Sequence, residues 1–195
     1  MLMKTYKLLL ITFLFTFSAF GQSADTTYSL TTEIGVGYSR YFTTMDYNDL
    51  NKNGFSGTVR VMWNPEHLLS IGLETGYQYL YSIDTKIVDD ELGTTNFSAS
   101  MYTVPIFIAL AMKVTPNIKI SAGSGMYLLF NSGELFGDVI KSNQTCIGAH
   151  VGVSYTYPIN QSISLGGELL YSYYSKLQDQ TVALQFLFTY KFLEW

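Results

Sequence analysis

Among the few ionisable residues that interrupt the patterned segments of this chain are Glu33, Arg60, Glu74, His150 and Glu168. A charge set among apolar neighbours must be paired, hydrated or neutralised. A His beside a Glu is half of a hydrolytic triad, and Ser154 lies four residues from His150. On one strand face, however, a rise of roughly 3.3 Å per residue puts them about 13 Å apart. A nucleophile and its base must be within hydrogen-bond reach, so no catalytic residue is assigned. The five residues read instead as a buried polar network, with Arg60 the cation between Glu33 and Glu74. A second cluster, Asp89-Asp90-Glu91, offers the carboxylate oxygens that Ca²⁺ and Mg²⁺ prefer, without the spacing of an EF-hand loop. Cys146 is the only cysteine and closes no internal bridge. No metal-ligand cluster, nucleotide loop or nucleophile motif is present, and no cofactor is expected.

These residues sit in a chain of 195 residues, of which 13% are charged and 16% aromatic, with 16 Tyr, 13 Phe and four Pro. That hydrophobicity excludes disorder. Eleven basic against 15 acidic residues exclude a nucleic-acid footprint. Residues 1–21 read as a secretory signal peptide. Lys4 and Lys7 precede an apolar stretch, Leu8–Phe20, too short for a comfortable membrane span, and Ala19-Phe20-Gly21 supplies small residues for cleavage before Gln22. Residues 22–195 form one domain. Beyond the leader, no apolar run approaches the roughly 20 residues of a spanning helix.

The rest alternates with period two. Eight strands are expected: Tyr28–Phe42, Gly54–Asn64, His67–Ser82, Ser98–Val114, Asn117–Phe130, Gln144–Tyr157, Gln161–Ser175 and Gln180–Phe192. Their connections alternate in kind. Tight, Pro-containing turns (Asn64–Glu66, Thr115–Asn117, Pro158–Asn160) alternate with polar loops (Thr43–Asn53, Ile83–Phe97, Asn131–Asn143, Lys176–Asp179), most of them longer. The faces are unequal. Ile147, Ala149, Val151, Val153 and Tyr155 share one side of a strand whose other side is Cys146, Gly148, His150, Gly152 and Ser154. With no helix to cover the apolar side, lipid is its natural solvent. Tyr and Trp near strand ends fit interfacial girdles. Pro105 lies within a strand, cannot donate to a ladder and calls for a bulge.

Together the leader, the alternating strands and the C-terminal Gln185-Phe186-Leu187-Phe188-Thr189-Tyr190-Lys191-Phe192 resemble the small outer-membrane β-barrel proteins. The architecture is that of OmpA and OmpX, and the "outer membrane protein beta-barrel domain" families of Bacteroidetes, PorT-like proteins among them, are similar. The resemblance implies an all-β fold, an eight-stranded antiparallel up-and-down transmembrane β-barrel in the outer membrane of a Gram-negative cell. It also implies that the barrel assembly machinery reads the final strand, with Phe192 or the terminal Trp195 as the signal. Outer-membrane lipid and lipopolysaccharide are the expected surroundings, and Asp89, Asp90 and Glu91 the candidates for cation-bridged contact with lipopolysaccharide phosphates. The expected state is a monomer that binds no nucleic acid.

Within an eight-stranded barrel the lumen is about wide enough for its own side chains. A tight turn at Pro158–Asn160 sets Thr156 opposite Ser162, and the same register carried up the hairpin sets His150 opposite Glu168. Lys113, Lys119 and Lys191 are expected at a wet mouth on the short-turn side. An acidic crown, including Asp46, Asp49, Asp84, Glu134, Asp138 and Asp179, is expected on the other. The function expected is non-enzymatic: a structural, surface-interaction or scaffold role in the envelope. A narrow gated conduit, a lipid-modifying enzyme and a soluble lipocalin-like binder are the alternatives.

Overall fold

The computed structural model describes residues 28–45, 49–65, 69–89, 93–135 and 138–195. The leader, Asp46, His67, Asp90 and Glu91 lie outside them. Nine strands form among the described residues: β1 (Ser29–Phe42), β2 (Leu50–Asn51), β3 (Asn53–Asn64), β4 (Leu69–Asp89), β5 (Gly93–Lys113), β6 (Ile118–Leu135), β7 (Asp138–Pro158), β8 (Ile163–Tyr174) and β9 (Asp179–Glu194). All but the two-residue β2 make an antiparallel ring of eight. β1 pairs with β3 and β9, and β4 pairs with β5. Closure leaves the barrel wall no open edge, which is the condition for a sheet to stand in hydrocarbon.

Burial is inverted relative to a soluble protein. Arg60 is 1% exposed while Leu73 is 69% exposed. Along β1 the buried Glu33, Gly35 and Ser39 alternate with the outward Ile34, Val36 and Tyr38. A lipocalin-like interior would be apolar, so this pattern disposes of that alternative. Aromatic rings gather at the short-turn end, where Tyr28 stacks on Trp63 and on Trp195. Higher up the outer wall, Tyr77, Tyr102 and Phe130 form a stacked ladder across β4, β5 and β6.

The tall end departs from expectation. The described residues of Ile83–Phe97 and Asn131–Asn143 are strand and not loop: β4 and β5 pair from Leu69↔Met112 up to Asp89↔Gly93, and β6 and β7 up to Leu135↔Asp138. On β7 the run Asp138–Thr145 is exposed throughout and carries no hydrophobic alternation, because above the wall both faces of a strand meet water. β4 to β7 thus rise beyond β8 and β1 as a four-stranded sheet. β8 pairs with β7 only as far as Gly148↔Tyr174, leaving Asp138–Cys146 as its free edge. One face of this overhang presents the rows Ser82–Ser100–Ser132–Lys141 and Asp84–Ser98–Glu134–Val139.

Pro105 is accommodated without the expected bulge. Gly76 and Tyr77 drop out of the β4–β5 ladder opposite Val104 and Pro105, and pairing resumes in the same register at Gln78↔Thr103. The irregularity falls higher, between Tyr79 and Tyr81.

Candidate functional site: the charged belt of the lumen

The lumen is layered. Toward the tall end it is closed by a cluster that includes Tyr41, Leu80, Phe107, Tyr127, Leu129 and Tyr174. Toward the short-turn end Met62, Ala109 and Ala111 form a second cluster. Between them lies a belt of charge.

Arg60 on β3 is its centre. The Arg60 Nε donates to Glu74 Oε2 on β4, the neighbouring position in the ladder. The Arg60 Nη1 reaches across the lumen to Glu168 of β8, donating to Oε1 at 2.7 Å and Oε2 at 2.8 Å, and lies 3.7 Å from Glu33 Oε2. Glu168 also accepts from Ser121 Oγ at 3.2 Å. Every group here is nearly inaccessible to water, where an uncompensated charge costs several kcal/mol. The opposed charges offset that cost in part: Nη1 alone serves both Glu168 oxygens, and Nη2 has no partner among the described residues.

His150 does not meet Glu168. The β7–β8 register sets His150 opposite Ser172 and Ser154 opposite Glu168. The turn is centred two residues later than expected, on residue 161 rather than 159. Asn160 Oδ1 accepts from the backbone N–H groups of Ser162 (2.9 Å) and Ile163 (2.7 Å), while the Ile159 N–H bonds the Ile163 carbonyl. This Asx-type turn shifts β8 by four positions relative to the expected pairing. The imidazole instead crosses the barrel, its Nδ1 3.1 Å from Glu74 Oε1, and packs on Phe107 with ring centroids 5.4 Å apart. It lies so close to β6 that a Cβ on Gly123 would sit 2.5 Å from its Cε1.

Lys119 also differs from expectation. Rather than standing in a wet mouth, it donates to Glu33 Oε1 from the short-turn side and is only 14% exposed. Lys113 is exposed, and Lys191 bonds Glu194 at 2.6 Å. Asp179 leaves the expected crown: it is buried and accepts from the Tyr41 hydroxyl. Tyr81 stacks inward on Tyr41. Cys146 is free and buried in the upper cluster. Ser154 donates to the Lys119 carbonyl at 3.4 Å. Asp89 ends β4 opposite Gly93. At the other end the Trp195 and Tyr28 backbones bond each other, and Phe192 is outward and exposed. Sequence reasoning missed Lys119 and Ser121 as members of the belt. Strand parity alone places both inward, but their partners lie on strands distant in sequence.

A closed ring of eight strands with ionisable groups enclosed and aliphatic ones outward defines a membrane-spanning β-barrel. The chain belongs to the outer membrane protein beta-barrel domain family, whose model matches residues 8–192. Solved structures agree on the fold. Neisserial surface protein A is 14% identical at a TM-score of 0.53, over 86% of this chain and 100% of that one. A major outer membrane protein of Thermus thermophilus is 17% identical at 0.55, over 85% and 99%. Ail, the attachment invasion locus protein of Yersinia pestis, solved with the heparin analogue sucrose octasulfate, is 13% identical at 0.50, over 88% and 99%. No curated protein matches the chain.

Proposed function

We propose that this outer-membrane barrel is a non-enzymatic surface protein: the wall and its filled lumen form a rigid base, and the four-stranded overhang is the part that meets partners. The observation that carries this reading is the pairing of β4 to β7 well beyond the ends of β3 and β8. Strands of 21 residues beside a strand of 12 leave about nine residues, or about 30 Å of chain, above the common wall. Paired strands hold their side chains in fixed rows where a free loop would not, so the ordering cost of binding is already met. The layered lumen argues against a conduit, since aromatic and charged layers follow one another along its axis.

Two measurements test this reading in the full chain. An epitope inserted between residues 136 and 137 should be stained on intact cells, and one inserted at Ile159 should be stained only after permeabilisation. In planar bilayers the purified barrel should pass no steady current. A steady current altered by Arg60→Ser would overturn the reading in favour of a conduit, and staining in the reverse pattern would put the overhang on the wrong side.

A further inference from the structure

A hydrogen-bond chain runs along much of the lumen and is interrupted once. From the tall end, Thr181 Oγ1 donates to the Tyr174 hydroxyl at 3.1 Å, which donates to Gln78 Oε1 at 2.6 Å. From the middle, His150 Nδ1 contacts Glu74, Glu74 accepts from Arg60, and Arg60 donates to Glu168. Between these two stretches stand Gln78 Nε2 and His150 Nε2, both buried and both without a hydrogen-bond partner among the described residues. They line one small cavity together with Glu74, Tyr127, Ser172 and Pro105. Pro105 has no N–H to give the wall, which is why the β4–β5 ladder lapses there.

We propose that this cavity is a binding site for a single water molecule that joins Gln78 Nε2 to His150 Nε2 and makes the chain continuous from Thr181 to Glu168. Two unpartnered polar atoms facing one space are costly unless a guest serves both. The space takes about one water and nothing larger. The donor set selects water over an ion. The amide N–H of Gln78 repels a cation, and the Glu74 carboxylate beside it repels an anion. Water accepts from Gln78 and can either donate to the imidazole Nε2 or accept from it. The aromatic cap and the charged belt thereby become one polar unit.

The test uses the full chain in lipid nanodiscs carrying His67→Asn, so that His150 is the only histidine. Proton NMR should show a long-lived water cross-peak to the His150 ring, and Gln78→Met, which replaces the amide donor with an apolar chain of similar length, should abolish it and move the Nε2 resonance. Absence of the cross-peak with Gln78 intact would overturn the proposal, as would an Nε2 resonance indifferent to Gln78→Met. The measurement with Gln78 intact decides occupancy by itself, so the proposal stays falsifiable even where the Met variant fails to fold.

Discussion

Replacing Arg60 with Met tests whether the belt holds the barrel together. The guanidinium touches three carboxylates, and each keeps something different when it is gone. Among the described residues Glu33 retains Lys119, Glu74 retains His150, and Glu168 retains only the Ser121 hydroxyl at 3.2 Å. Removing one member of a buried ion pair costs about 3–5 kcal/mol, because the remaining charge is left without compensation. Glu168 carries most of that cost here. Arg60→Met should therefore lower unfolding stability by about 3–5 kcal/mol. Arg60→Met combined with Glu168→Gln should recover about 1–3 kcal/mol of the loss, the coupling expected of contacting groups. Urea titration in phospholipid vesicles reads this directly. Trp63 and Trp195, the only two tryptophans, stack on Tyr28 at the short-turn end; Trp63 is three residues from Arg60 on β3 but on the outer face, so both report the wall rather than the belt. A loss below about 1 kcal/mol for Arg60→Met, or strict additivity in the double variant, would refute the claim that the belt is a coupled network.

Two further substitutions follow from the same contacts. Asn160→Ala removes the acceptor of two backbone N–H groups at an exposed turn and should cost about 1 kcal/mol by urea midpoint, while Asn160→Asp, which keeps the oxygen, should cost less. Gly123→Ala places a methyl 2.5 Å from His150 Cε1 and should cost about 1–3 kcal/mol, whereas Gly57→Ala, whose nearest neighbour is 3.6 Å away, should be close to neutral in the same titration.

What could be read from the chain divides along the physics of each feature. The ring of eight was legible because the wall must alternate: Ile147 to Tyr157 on β7 and Val182 to Phe192 on β9 each keep lipid on one side, and a slip of one residue would turn every side chain over. The overhang was not, because a sheet wetted on both faces has no pattern to obey, and its serines look like loop. The belt fell in between. Parity placed Glu33, Arg60, Glu74, His150 and Glu168 inside, and the ladder alone sets Arg60 against Glu33 and Glu74 as strand neighbours. The contacts that cross the lumen are Arg60 to Glu168, His150 to Glu74 and Lys119 to Glu33. They depend on strand tilt and stagger around the closed ring, which no local pattern encodes. The misplaced His150 partner shows how steeply such errors grow. One Asx turn at Asn160, centred two residues later than supposed, moved β8 by four positions and took Glu168 from the histidine to the arginine. Short turns in a barrel therefore do more than reverse the chain. Each one sets which charges can meet in the interior, so a turn exposed to solvent decides the composition of a buried ion-pair network.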